Sequence, residues 1–268
     1  MAVVLKSLAR AYKEFYHDAQ DPRTTDLFLM NPPWLPVTIV GLYLYFVLNL
    51  GPKWMASRNP LNIKTLILVY NVVQVAINTY MAYTGTKLFI KLKFSLTCQP
   101  VNRSAEGLPE LNLVHQYYLL KVLDLVDTIF FVVRKKQTHV SFLHVYHHAA
   151  MVLGPFIYSR AYPGGHGSML GLINTYVHAV MYLYYFLSAY KPELVRDIRW
   201  KKYITGMQIA QFIFLTGFYG NTAIMGYDCG IPIWWFWACF IQAIFMLAMF
   251  SDFYYRTYVK ANKIRKSL

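Results

Sequence analysis

The stretch Ile231-Pro-Ile-Trp-Trp-Phe-Trp-Ala-Cys-Phe-Ile-Gln-Ala-Ile-Phe-Met-Leu-Ala-Met-Phe-Ser-Asp-Phe253 carries a single charge, Asp252, near its end. A helix that crosses a bilayer needs about 20 mostly apolar residues, and this stretch supplies them. Six more segments of similar length precede it, at 35–52, 65–85, 112–133, 139–158, 168–190 and 203–223, joined by short polar or basic loops. The composition agrees: 57% of residues are hydrophobic and only 14% charged, outside the usual range of soluble domains. The 23 Tyr and 18 Phe suit helix ends lying in aromatic belts at the headgroups. The expected fold is an all-α integral membrane protein with seven transmembrane helices. With no internal repeat, low-complexity tract or long linker, residues 1–268 read as one polytopic domain.

Positive charge collects in cytoplasmic loops near spans, so the 26 Lys and Arg orient the chain. With the C-terminus inside, cytoplasmic segments hold sixteen of them: Lys53, Arg58, Lys64, Arg134, Lys135, Lys136, Lys191, Arg196, Arg199, Lys201, Lys202, Arg256, Lys260, Lys263, Arg265 and Lys266. Nine fall on the other side, and Lys121 lies inside a span. The expected orientation is N-terminus out, C-terminus in. The net charge of +14 then needs no nucleic acid, because basic inner loops suit anionic lipid headgroups or phosphorylated substrates.

In the N-terminal arm, residues 1–33, Lys6, Arg10 and Lys13 interrupt any signal-peptide core. Val4, Leu5, Leu8, Ala11, Tyr12, Phe15 and Tyr16 follow helical spacing, so Met1–Tyr16 is expected to lie as an interfacial amphipathic helix. Asn31-Pro-Pro-Trp-Leu-Pro36 then breaks the chain before the first span. Cys98 and Cys229 sit in two loops on the outer side and can pair in an oxidising lumen; the alternative is two free thiols. Asn102-Arg-Ser104 is a glycosylation acceptor triplet on the same side, of a kind that also arises by chance. Cys239, inside a span, reads as a small buried hydrophobe.

Ionisable groups within a span are costly unless paired or hydrated, and here they cluster. The third span reads Lys121-Val-Leu-Asp124-Leu-Val-Asp127-Thr128-Ile-Phe-Phe-Val-Val-Arg134-Lys135-Lys136, which places the charged groups on one helical face with Lys121 in reach of Asp124. A self-neutralising stripe that holds the helix to its neighbours is the plain alternative, although such glue is usually built from small and hydroxyl residues. The fourth span carries His144, His147 and His148 at i, i+3 and i+4. The fifth aligns Asn174, His178, Met181, Tyr182 and Tyr185, and the sixth Thr205, Gln208 and Gln211. Four polar stripes in an apolar solvent are expected to enclose a common hydrated cavity.

Two chemistries fit such a cluster. Histidines at i, i+3 and i+4 have ligand spacing, and membrane oxygenases of the desaturase and hydroxylase type use His-x-x-His-His boxes. Of the eight histidines, however, His17, His115 and His166 lie near loops or outer span ends. The five left, His139, His144, His147, His148 and His178, are too few for a di-iron pair, so no metal is expected; a single metal on histidines with Asp127 is the residual form of that reading. Acyl transfer is the other chemistry. An imidazole, with an ordinary pKa of about 6.5, is largely neutral at pH 7 and serves as base or nucleophile when a neighbour manages its proton. A non-enzymatic seven-span lipid receptor or transporter is a third reading, against which the histidine box and the span-buried Lys121 argue.

Lys121-x-x-Asp124-x-x-Asp127-Thr128-x-Phe130-Phe131-x-x-Arg134-Lys135, Leu143-His144-x-x-His147-His148, His178-x-x-Met181-Tyr182-x-Tyr184-Tyr185 and Thr205-x-x-Gln208-x-x-Gln211 resemble, in order and spacing, the ELO family of very-long-chain fatty acid elongases. Asp21-Pro22-Arg23 and the seven-span layout extend the likeness over nearly the whole chain. The resemblance implies a 3-ketoacyl-CoA synthase that condenses long-chain acyl-CoA with malonyl-CoA, releasing carbon dioxide and CoA without a cofactor. It also implies the endoplasmic reticulum membrane, with the N-terminus lumenal, the C-terminus cytosolic and six helices in a barrel around a closed acyl tunnel. By motif, His147 takes the acyl group as an acyl-imidazole, His178 assists enolate formation or proton transfer, and His144 and His148 orient the pair. Many members carry Glu where this chain has Asp124, one methylene shorter, so its role is read as positional. Asn174, Gln208 or Tyr182 would stabilise an enolate. Arg134, Lys135, Lys136, Lys201, Lys202 and Arg256 would contact the phosphates of CoA, their plain alternative being ordinary positive-inside topology. Expected partners are membrane lipid, further copies of the chain, and the reductases and dehydratase of the elongation cycle. Arg265-Lys266-Ser267-Leu268 resembles a cytosolic dibasic retrieval signal.

Overall fold

The computed structural model describes Lys6 and residues 20–260. Apart from Lys6, the expected interfacial helix over Met1–Tyr16 lies outside the described residues, as do His17 and the dibasic tail. Among the described residues the regular structure is entirely helical, with seven long helices: α1 (Leu35–Met55), α2 (Lys64–Leu92), α3 (Leu108–Val133), α4 (Phe142–Ala161), α5 (Ser168–Tyr190), α6 (Ile198–Met225) and α7 (Ile233–Lys260).

Four segments are long and apolar enough to cross a membrane: Leu35–Met55, Lys64–Leu92, Gly165–Tyr190 and Ile233–Lys260. The other three helices carry the polar groups that lower their hydropathy, among them Lys121, Asp124 and Asp127 on α3, the histidines of α4, and Lys201, Lys202, Gln208 and Gln211 on α6. Their 26, 20 and 28 residues have the length to span. Local chemistry sets several boundaries. The Ser141 side chain accepts from His144 N and starts α4, and Asp197 accepts from Arg199 N and starts α6. Gly226, at φ 67°, supplies the left-handed residue that ends α6.

The chain divides into two compact units. The first comprises described residues up to Leu61 together with Val101–Gly165, so it holds α1, α3 and α4. Its apolar core is built by Met30, Val40, Val47, Tyr118, Val132 and Phe156. Gly51 lets α1 approach α3, since a Cβ there would stand 2.6 Å from Val132 Cγ1. A polar clasp closes one end of this unit. Asp21, 1% exposed, accepts from Arg23 and Arg103 at 2.8 and 3.0 Å, while Arg160 donates to Met30 O, Asn31 Oδ1 and Gln20 Oε1. Burial raises the Asp21 carboxyl, but the Arg23 donors and the charges of Arg23 and Arg103 outweigh it and hold it below the ordinary carboxylate value.

The second unit comprises Asn62–Pro100 and the described residues from His166 onward, holding α2, α5, α6 and α7. α2 packs on α5, α5 on α6, and α6 on α7. Gly220 admits α7 closely, because a Cβ there would meet the Phe240 ring at 2.7 Å. Cys98 and Cys229 form a disulfide within this unit, with Cα atoms 5.4 Å apart. Beside it His166, fully buried, shares a hydrogen bond with Thr222 and stacks on Phe218.

Candidate active site

In the first unit the polar stripe of α3 meets the histidine box of α4. Lys121 Nζ donates to Asp124 Oδ2 at 2.8 Å, and both residues are 2% exposed. Three residues apart on one face, they neutralise each other where neither charge could stand alone. The Lys121 ammonium also lies 4.9 Å from the centre of the Tyr117 ring. Two turns along, Thr128 Oγ1 is shared between His144 Nε2 at 2.9 Å and the Tyr43 hydroxyl at 2.8 Å. His144 is therefore fixed at its ring nitrogen by α3 and at its backbone N–H by Ser141. Its ring lies 4.3 Å from that of His148, and His147 meets His148 edge-on at 5.7 Å. Spacing of i, i+3 and i+4 gathers the three imidazoles on one side of α4. His148 is buried, while His144 and His147 are half-buried. Phe131 packs on both His139 and His144.

In the second unit α5 carries Asn174, His178 and Tyr182, all buried, and Tyr185, which is more exposed. Tyr182 packs edge-on against His178 at 5.7 Å and against Tyr185 at 5.8 Å. From α6, Gln208 Nε2 reaches Met181 Sδ at 3.7 Å, and Thr205 is paired with Tyr258 at 3.4 Å. Gln211 is buried, and its Oε1 has no hydrogen-bond partner.

The basic residues lie at or near helix ends. Lys135 and Lys136 are exposed at the end of α3, with Lys135 donating to Ala56 O, and Arg134 is half-buried. Lys201 and Lys202 are exposed at the start of α6, with Lys202 above the Tyr254 ring, and Arg256 is paired with Asp252 at 2.8 Å. In the loop before α3, Asn102 Oδ1 accepts from Ser104 N and Oγ, and the Asn102 carbonyl accepts from Arg23. Among the described residues no three His, Cys, Asp or Glu side chains are grouped to hold a metal ion.

Two sets of polar residues escaped the sequence reading. Tyr43, on apolar α1, holds Thr128 from across 85 positions of sequence, and no local pattern announces it. On α2, by contrast, Tyr70, Gln74 and Asn78 recur at i, i+4 and i+8 and are all buried. That period was visible in the sequence, within a segment read only as an apolar span.

Long apolar helices with buried polar and histidine side chains mark a helical membrane protein. The ELO (GNS1/SUR4) family profile matches residues 28–266, and the chain belongs to that family. It is 37% identical over 264 residues to very long chain fatty acid elongase 7 of Rattus norvegicus, covering 97% of this chain and 92% of the relative. To very long chain fatty acid elongase 4 of Homo sapiens it is 35% identical over 263 residues, 93% of this chain and 80% of the relative. To very long chain fatty acid elongase 1 of Homo sapiens it is 33% identical over 271 residues, 98% and 95%.

Proposed function

We propose that this chain is the condensing enzyme of very-long-chain fatty acid elongation, a 3-oxoacyl-CoA synthase joining long-chain acyl-CoA to malonyl-CoA. The observation that carries the reading is the α4 histidine box, with His144 pinned to Thr128 and His147 half-buried beside His148. A neutral imidazole in that setting can attack a thioester. The His147 nitrogen bonds to the acyl carbon, the carbon–sulfur bond breaks, and CoA leaves with the imidazole proton. Loss of carbon dioxide from malonyl-CoA leaves its bonding pair as an enolate. The enolate carbon attacks the acyl-imidazole, the carbon–nitrogen bond breaks, and the released nitrogen takes up a proton from solvent, which regenerates neutral His147 as 3-ketoacyl-CoA departs. His178 assists enolate formation, with Asn174, Tyr182 or Gln208 donating to the enolate oxygen. Lys121, Asp124, Asp127 and Thr128 order the box side, and Tyr185, Thr205 and Gln211 complete the polar lining on α5 and α6.

The setting follows from the same reading: all seven helices span the endoplasmic reticulum membrane, six of them surrounding the acyl chain. The basic ends of α3 and α6 then lie on the cytosolic side with the C-terminus, where Arg134, Lys135, Lys136, Lys201, Lys202 and Arg256 meet CoA phosphates or anionic headgroups. Asn102 and the Cys98–Cys229 bridge are then lumenal, and Asn102 is a glycan acceptor. A 3-ketoacyl product needs reduction, dehydration and a second reduction, which places reductases and a dehydratase among the partners. The test is purified protein given long-chain acyl-CoA and labelled malonyl-CoA without NADPH, oxygen or added metal. Labelled 3-ketoacyl-CoA two carbons longer is expected from the wild type and not from His147→Ala. No product across a broad acyl-CoA panel would sink the proposal, and dependence on iron and oxygen would favour an oxygenase.

A further inference from the structure

Three buried side chains on α2 form a ladder whose hydrogen-bond polarity can be worked out from one end. Asn78 Nδ2 lies 2.8 Å from the Gln74 backbone carbonyl, which only accepts, so that atom of Asn78 is the amide nitrogen. The same nitrogen lies 3.1 Å from the Gln74 carboxamide, which must therefore turn its oxygen toward Asn78. Gln74 is left with its NH2 facing Tyr70, at 2.9 Å from the phenol oxygen. Tyr70 thus accepts from Gln74, and its own O–H proton is directed away from the ladder. The Tyr70 ring packs edge-on against Tyr182 at 6.0 Å, and Tyr182 in turn packs against His178 at 5.7 Å. Gln74 and Tyr182 are fully buried and Tyr70 nearly so, which leaves little room for the ladder to relax.

We propose that Gln74 is a positioning residue for the α5 half of the site, acting through Tyr70 to fix the Tyr182–His178 pair and to aim the Tyr70 hydroxyl proton off α2. This rests on the condensation reading above and adds to it a helix that carries none of the family motifs quoted from the sequence. A carboxamide is suited to the position because it can accept from Asn78 and donate to Tyr70 at once, which neither a carboxylate nor an aliphatic chain can do. Small displacements of catalytic side chains lower turnover far more than they lower substrate affinity when binding contacts lie elsewhere.

The experiment measures kcat and KM for acyl-CoA in condensation by the full chain, for wild type, Gln74→Leu, Gln74→Glu, Tyr70→Phe and Gln74→Leu/Tyr70→Phe. Expected is a loss in kcat of about ten-fold or more for each Gln74 variant with KM for acyl-CoA within about two-fold, by analogy with misplaced catalytic groups. Because Gln74 acts through the Tyr70 hydroxyl, the double variant is expected to fall no further than the worse single one. The isosteric Gln74→Glu keeps the volume if Gln74→Leu fails to fold. Unchanged kcat in a folded Gln74 variant, or losses that multiply in the double variant, would overturn the proposal while leaving wild-type condensation standing. Absence of condensation by the wild type would instead defeat the parent reading, and this one with it.

Discussion

Lys121 and Asp124 lie three residues apart on α3, and the two buried charges neutralise each other there. Removing one partner leaves the other charge buried, which costs about 3–5 kcal/mol, while replacing both with apolar groups of similar size costs far less. Lys121→Met is therefore expected to lower the melting temperature in detergent sharply, and Lys121→Met/Asp124→Leu to recover most of it. Asp21 gives a prediction with pH. Its folded pKa is depressed, so its contribution to stability is fully present above the unfolded value of about 3.9 and is lost as pH falls from there through the folded value. Melts taken from pH 6 downward should show the wild type losing stability relative to Asp21→Asn below about pH 4; parallel curves would contradict the assignment. The Tyr43–Thr128 contact could not be read from sequence, because it joins side chains 85 positions apart and nothing local marks Tyr43, although Thr128 stands in the α3 motif.

Helix positions were largely legible at the scale of elements, since an apolar run must form its own backbone hydrogen bonds in a bilayer. Ends were less so. The segment expected at 65–85 runs as Lys64–Leu92, and that expected at 203–223 as Ile198–Met225, because a helix continues past the apolar run until a cap or a left-handed residue stops it. Four segments are long and apolar enough to cross a membrane, and the polar groups on α3, α4 and α6 lower the hydropathy of those helices. Close helix approach was likewise illegible, because a glycine in sequence does not reveal what faces it. Gly220 faces Phe240 and Gly217, three residues earlier, faces open space. Gly220→Ala is expected to destabilise the α6–α7 pair by about 1–3 kcal/mol, less whatever the ring's movement returns, and Gly217→Ala to be neutral or mildly stabilising. Thermal melts of the two variants side by side decide it, and equal behaviour would remove the packing argument.

For the whole molecule, the family was readable because four short motifs fall in fixed order between residues 121 and 211, and the ELO match over residues 28–266 agrees. The α2 ladder, although its period stands in the sequence, drew no notice because those motifs begin only at α3. The division into two units also left no trace in composition, since each is assembled from separate stretches of chain. In the proposed mechanism a histidine of α4 carries the acyl group between the two substrates. Incubation with long-chain acyl-CoA alone, acid quenching and peptide mass analysis test it most directly. Expected are an acyl mass on the peptide containing His147 and released CoA in matching amount, with neither from His147→Ala. A wild-type protein that condenses its substrates yet leaves no acyl group on that peptide would contradict it.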